Sequence, residues 1–285
     1  LYADLTDTNC SPGPLEPNHT YYWQVITKNV QGQAPGPVWS FTTVRGWDLN
    51  LSRYRIIDLG MISDIGVPGY NQSGARAINN FGQVVGYSTT SAGIKWHAFF
   101  WEDVNNNGQA DPNEMQDLAV EWGNIYSDAS GINNIGQVVG SMNLFQLHTQ
   151  PYVWQDTNHN GRYDSGEIEY LELLPVTSRS YAYDVSDYGL AVGLCETFNG
   201  NFACLWDVAT NSVTNLGTLG GAGSTANGIN NAGQVVGTAD NTDNEDCAFL
   251  WTDENGNGES DPCEMIDIGT LGGNYGKAFA INNSG

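Results

Sequence analysis

Three twelve-residue stretches of this 285-residue chain place oxygen-bearing side chains at the spacing of a calcium loop. In the first, Asp103, Asn105, Asn107, Asp111 and Glu114 stand at positions 1, 3, 5, 9 and 12, with Gly108 at 6 and Gln109 at 7. Ca2+ takes six to eight oxygens on a tightly curled backbone. Glycine at position 6 permits the turn, and the main-chain carbonyl at position 7 serves as a further oxygen. The second stretch repeats the pattern with Asp156, Asn158, Asn160, Gly161, Arg162, Asp164 and Glu167. The third does so with Asp253, Asn255, Asn257, Gly258, Glu259, Asp261 and Glu264. Arg162 and Glu259, like Gln109, enter only through their carbonyls. One match in a polar chain is within reach of chance, as an Asn/Gly/Asp-rich surface turn. Three in one context point to three structural Ca2+ sites. His159, at position 4 of the second loop, is expected to face outward and not to act as a ligand.

The elements that must hold these loops are strands, because neither flank carries helical periodicity. A longer repeat surrounds each loop. Ala77-Ile78-Asn79-Asn80-Phe-Gly82-Gln83-Val-Val-Gly86 recurs from Gly131, in weaker form from Asp184, again from Gly228, and as Ala280-Ile281-Asn282-Asn283-Ser-Gly285. The aliphatic anchors at 78, 132, 185, 229 and 281 are spaced 54, 53, 44 and 52 residues. Each unit parses into four strands. The first ends in Ile-Asn, turns through Asn-Asn-x-Gly, and returns as Gln-Val-Val-Gly; Asn and Gly favour the positive φ of such turns. The third ends in Trp101, Trp154, Trp206 or Trp251, and the fourth carries Leu118, Leu171, Leu216 or Ile268. Four antiparallel strands in roughly 45–55 residues is the size of a propeller blade, with a linear β array as the alternative.

The uneven spacing has one source. The interval from tryptophan to aliphatic residue is 17 in three units and 10 from Trp206 to Leu216, the unit without a calcium pattern. The loop is therefore an optional extension of the hairpin joining strands three and four, not a helix–loop–helix. Arg53–Gly60 reads as a lone fourth strand and residues 278–285 as a lone first strand with its turn. Both chain ends look cut from something longer, and the natural polypeptide is expected to continue past Gly285.

Composition narrows the function. A net charge of −23, with 9 Lys+Arg against 32 Asp+Glu, argues against nucleic acid and against anionic membranes. No apolar run approaches the ~18 residues of a membrane span. Each bound Ca2+ would offset two of the negative charges. An acidic, lysine-poor chain with weak calcium loops suits the outside of a cell, where calcium is plentiful. The four histidines are scattered, with no zinc or nucleophile-elbow motif, so no catalytic residues are assigned. The tryptophans recur at one repeat position, which favours packing between units over a sugar-binding surface. Sequons at Asn9, Asn18, Asn50, Asn71 and Asn282 are only modestly more than an Asn-rich chain gives by chance, and no glycan is assigned to them. Cys195 and Cys204 flank Asn199-Gly200. With those two residues as the turn, 195 faces 204 in a non-hydrogen-bonded pair, which leaves a cross-strand disulfide and two buried thiols both open.

Residues 1–45 differ in kind. Leu15, Pro17 and Tyr21, the strand around Tyr21–Val25, a turn at Gly32–Pro37 and a strand at Val38-Trp39-Ser-Phe41-Thr-Thr43 resemble the C-terminal part of a fibronectin type III domain. Residues 46–52 read as a linker. Residues 53–285 resemble the bacterial extracellular HAF repeat, on His97-Ala98-Phe99, on Ile-Asn-x-x-Gly-Gln-Val-Val-Gly, and on Leu216-Gly-Thr-Leu-Gly-Gly221 with its echo at Ile268–Gly273. Gln150-Pro-Tyr152, Phe202-Ala-Cys204 and Cys247-Ala-Phe249 depart from the name triplet, so no shared role passes to His97. The resemblance implies a secreted or cell-surface β-repeat protein and brings no catalytic residues. The placement of the loops is similar to that on integrin-type blades. Together these readings give an all-β, propeller-like chain with calcium-binding hairpins and a partial β-sandwich at its N-terminus. It would be non-enzymatic, extracellular, and able to self-assemble into a filament or surface layer through open β edges. An adhesion or carbohydrate-binding module of a larger secreted protein, with a glycan as partner, is the competing class.

Overall fold

The computed structural model describes residues 20–29, 32–42, 56–62, 72–90, 95–122, 125–145, 148–270 and 272–285, and for 21–29 and 32–42 the backbone alone. Leu15, Pro17, Cys10, the 46–52 linker and the sequons at Asn9, Asn18, Asn50 and Asn71 lie outside the described residues. The chain forms two compact units, Leu1–Ile56 and Ile57–Gly285, and is all-β with antiparallel sheets.

In the first unit β1 (Thr20–Asn29) pairs antiparallel with β2 (Gly32–Thr42), with Trp23 opposite Trp39 and a bulge near Gln24. The turn expected at Gly32–Pro37 is instead part of β2. Among the described residues each strand of this sheet has one edge without a partner, and an edge is where prolines such as Pro35 are tolerated.

Among its described residues the second unit holds four four-stranded repeats. They are β3–β6 (Ser73–Ile78, Val84–Thr90, Lys95–Trp101, Met115–Asp117) and β7–β10 (Ser127–Ile132, Val138–Phe145, His148–Trp154, Ile168–Tyr170). After them come β11–β14 (Thr177–Val185, Leu190–Thr197, Gly200–Asp207, Ser212–Asn215) and β15–β18 (Gly220–Ile229, Val235–Asn241, Asp246–Trp251, Met265–Asp267). Within each repeat, consecutive strands pair antiparallel. The second and third repeats are also joined by one parallel bridge between Arg179 and Thr149. No strand is assigned over the described residues 56–62 or over 278–285, contrary to the sequence expectation. Residues 282–285 do complete the Asn turn, with the Gly285 amide on the Asn282 carbonyl at 3.2 Å. The aliphatic residues Leu118, Leu171, Leu216 and Ile268 fall one position past their short fourth strands.

The repeats pack face to face, and this explains the Val-Val pair. Adjacent residues of a strand point to opposite faces, so each pair feeds two cores. Val85, Ala98, Phe100 and Leu118 of the first repeat meet Ile132, Val138, Tyr152 and Trp154 of the second. Val139, Val153 and Leu171 on the other face of the second meet Val185, Ala191, Cys195, Cys204 and Trp206 of the third. Val192, Leu205 and Leu216 then meet Ile229, Val235, Phe249 and Trp251. The Phe100 and Trp154 rings are tilted with centroids 5.1 Å apart. Burying one such aromatic stabilises by roughly 1.5–3 kcal/mol, so these interfaces hold the stack.

Glycine closes the Gln-Val-Val-Gly motif for a steric reason. The first strand of every repeat bulges between its second- and fourth-last residues, and the second-strand glycine lies against that bulge. A Cβ on Gly86, Gly140, Gly193 or Gly237 would lie 1.9–2.0 Å from a first-strand carbonyl oxygen. In the Asn-Asn-x-Gly turns only the glycines (82, 136, 189, 233) have positive φ; the asparagines do not.

Candidate metal centres

All three twelve-residue stretches form one loop conformation between strands three and four. Positive φ falls at positions 4, 6 and 11 in each: Asn106, Gly108 and Asn113; His159, Gly161 and Gly166; Gly256, Gly258 and Cys263. The position-1 aspartate curls the backbone under itself. Asp103 Oδ1 and Oδ2 accept from the Asn107 and Gly108 amides at 3.1 and 2.7 Å. Asp156 and Asp253 accept the same pair of amides. Asn105 and Asn107 each accept from the amide two residues on, as do Asn158 and Asn160, and Asn255 and Asn257. The donor to the position-5 asparagine is the N–H of Gln109, Arg162 or Glu259, so position 7 is tied in by its backbone.

Position 9 is drawn into the same cluster. Asp111 Oδ2 accepts from the side-chain amides of Asn105 and Asn107 at 2.7 and 2.6 Å. Asp164 and Asp261 do likewise. Those amide donors hold the Asp111 and Asp164 carboxyls below the usual carboxylate range. The position-12 glutamates Glu114, Glu167 and Glu264 are buried, at 5, 7 and 6 % exposure, and each accepts the position-9 amide on Oε2. The loop mouth closes on position 12: its carbonyl accepts from Glu102, Gln155 or Thr252.

Every group in the set is an oxygen donor suited to a hard cation. Among the described residues no three His, Cys, Asp or Glu side chains are gathered tightly enough to hold a metal alone. The donor set therefore depends on the asparagine oxygens and main chain as well as the acids. The buried glutamate supplies the test of fit. Glu114 Oε1 is buried and has no hydrogen-bond partner, and an uncompensated buried carboxylate oxygen is costly. A cation held by Asp103, Asn105, Asn107, the Gln109 carbonyl, Asp111 and Glu114 would satisfy it. Asp156, Asn158, Asn160, the Arg162 carbonyl, Asp164 and Glu167 form the second candidate set, and Asp253, Asn255, Asn257, the Glu259 carbonyl, Asp261 and Glu264 the third.

Two features of the site are absent from the sequence reading. The first is that the hairpins of the second, third and fourth repeats each clasp the repeat before. Tyr163 and Ser165 donate to Glu121 at 3.0 and 3.3 Å. Ser260 donates to the Leu216 carbonyl, and Thr214 to that of Gly258. The short hairpin does the same through Asn211, which donates to the Tyr170 carbonyl and accepts from the Glu172 amide. The second is a ladder of asparagines beside the loops. Asn79 donates to the Asn133 carbonyl, Asn133 to that of Ser186, and Asn230 to that of Asn282. The next residue runs in parallel: the amides of Asn80, Asn134, Asp187 and Asn231 donate to the side chains of Asn134, Asp187, Asn231 and Asn283. The recurrence of Asn-Asn at four of the five turns, with Ser186-Asp187 at the other, was the only signal for this ladder.

Trp154, Trp206 and Trp251 are at most 1 % exposed and Trp101 is 5 % exposed, so the repeat tryptophans build cores and not a sugar-binding surface. Cys195 and Cys204 are free and buried. The predicted register is off: Thr197 pairs with Gly200, so Phe198-Asn199 is the turn and Cys195 lies opposite Phe202, with Cys204 opposite Gly193. Gly200, at φ 138°, opens the returning strand, and Thr197 Oγ1 accepts from the Asn199 amide. The two cysteines take the places that Met142 and Tyr152 hold in the repeat before, and burial pushes the Cys204 thiol up. His97 is buried with Nδ1 2.9 Å from Asp117. No protein-family model matches the chain, and no curated protein matches it as a relative.

Proposed function

We propose that this is a non-enzymatic, calcium-stabilised structural protein of the cell exterior. In it, Ca2+ in the three hairpin loops stiffens a propeller-like stack of repeats. The observation that carries the reading is Glu114, a buried position-12 carboxylate whose Oε1 has no donor, in a loop whose conformation two other loops repeat. The face-to-face cores and the asparagine ladder support a propeller-like arrangement. The resemblance to HAF repeats, and to fibronectin type III in residues 1–45, supports an extracellular setting. With a dissociation constant of ~10⁻⁴ M, as in extracellular modules, and millimolar ion, each site adds about 1.4 kcal/mol and three add about 4 kcal/mol.

Chelation is expected to lower the melting temperature, and elemental analysis of the native protein to find calcium. An unchanged melting temperature together with no bound calcium would overturn the proposal. Self-assembly into a filament or surface layer would use open strand edges such as those of the β1–β2 hairpin; native particles that remain single under electron microscopy would remove it. The rival class, adhesion or glycan binding, would use the cleft of about 1160 Å³ lined by Arg76, Phe81 and the first loop, and a glycan array decides it.

A further inference from the structure

The three loops share a backbone but not the state of their glutamates. In the second loop Glu167 is fully satisfied: Oε1 accepts from the Thr157 amide at 3.1 Å, and Oε2 from Asp164 and from the Trp154 indole at 3.2 Å. In the third, Glu264 Oε1 accepts from the Glu254 amide at 3.2 Å, and the Trp251 indole has Ser260 as its acceptor. In the first, Glu114 Oε1 has no partner, and neither has the buried Trp101 indole N–H. Val104 stands where Thr157 and Glu254 stand, but its amide does not reach Glu114. Protein donors thus compensate two of the glutamates and leave one to a cation. Both Trp101 and Glu114 line the 1160 Å³ cleft, which gives an ion a route to the open carboxylate.

We propose that Asp103–Glu114 is the dominant calcium site, filling before the other two and binding about tenfold tighter. Its binding relieves an unpaired buried carboxylate oxygen that the other loops do not have, a penalty of the size that a tenfold ratio represents. The proposal rests on the calcium reading above and adds an order to it.

Calorimetric titration of the chelator-stripped full chain with Ca2+ tests this, alongside Glu114→Gln, Glu167→Gln and Glu264→Gln. The wild type should show one tight step ahead of two weaker ones. Glu114→Gln should abolish the tight step while Glu167→Gln and Glu264→Gln leave it. A tight step that survives Glu114→Gln, or three indistinguishable steps, overturns the order while leaving the calcium reading intact; no binding at any loop removes both. A second readout needs no calcium. With chelator present, Glu114→Gln should leave the melting temperature unchanged or higher, because it neutralises an unpaired charge. Glu167→Gln should lower it, because it weakens three satisfied hydrogen bonds. Equal losses in the two variants would also overturn the proposal.

Discussion

The second and third repeats present the same hairpin built in two ways. Between Trp154 and Leu171 the chain spends twelve residues on an oxygen-lined loop, while between Trp206 and Leu216 it makes a short turn capped by Asp207 on the Ala209 amide. Both hairpins bond to the preceding repeat, one through Tyr163 and Ser165 and the other through Asn211. The clasp is thus what the fold requires, and the cation loop is an addition to it. A second contrast runs through the same pair. The second repeat has Asn133-Asn134 at its turn and the third has Ser186-Asp187. Ser186 keeps the carbonyl that Asn133 uses, but its own side chain accepts from Leu190 and makes no bond onward to Asn230.

The contrast can be broken or sharpened by substitution. The largest effect is expected where the repeats do not differ. Gly140→Ala and Gly193→Ala should each cost about 3 kcal/mol or more in urea unfolding, because the new Cβ meets a first-strand carbonyl at 2.0 and 1.9 Å. If only one of them is costly, the two bulges are not equivalent. Next in size, replacing Gln155–Glu167 with the Asp207–Ser212 turn, which keeps the strand register of the third repeat, should leave a folded protein. It should lose about 1.4 kcal/mol of calcium-dependent stability, one site's share, read as a smaller melting-temperature drop on chelation. Ser186→Asn should add the missing rung and stabilise by about 0.5–1.5 kcal/mol, and a neutral result would show that the ladder is not under load there.

The smallest effect is a pH dependence at Asp187. Burial raises its pKa, but the Asn134 amide and the side chains of Asn134 and Asn231 outweigh that and hold it below the ordinary value. A depressed folded-state pKa contributes stability that is present above the unfolded value, about 3.9, and lost as pH falls through the folded one. Asp187→Asn should flatten the acid limb of the stability curve while leaving neutral pH nearly unchanged.

What could be read from the sequence was what repeats locally. Four strands per unit, the tryptophan at the end of strand three and the loops at fixed spacing are all short-range patterns. What escaped depended on partners. The strands expected at 53–60 and 278–285 carry strand-like residues, but over the described ones no ladder forms; at the C-terminal segment the Ala278 amide reaches the Gly237 carbonyl at 3.3 Å as an isolated bond. The Gly32–Pro37 segment carries turn residues, yet its backbone pairs with Thr20–Asn29. Around Cys195 and Cys204, Phe198-Asn199 and Asn199-Gly200 are both acceptable turns, and a one-residue choice moves every cross-strand partner. Within the loops, the ligand spacing was visible. The unequal compensation of Glu114, Glu167 and Glu264 was not, since it lies in single amide and indole hydrogens.

The asparagine ladder has a consequence for how such a chain can lengthen. Its rungs join residues 54, 53, 44 and 52 positions apart along the sequence, yet each rung is one hydrogen bond long. The ladder indexes repeats by their turns and is indifferent to how many residues lie between. A hairpin can therefore gain or shed a whole loop without shifting the alignment of its neighbours. Insertions at the edge stay local, and the stack keeps a constant step while its sequence does not.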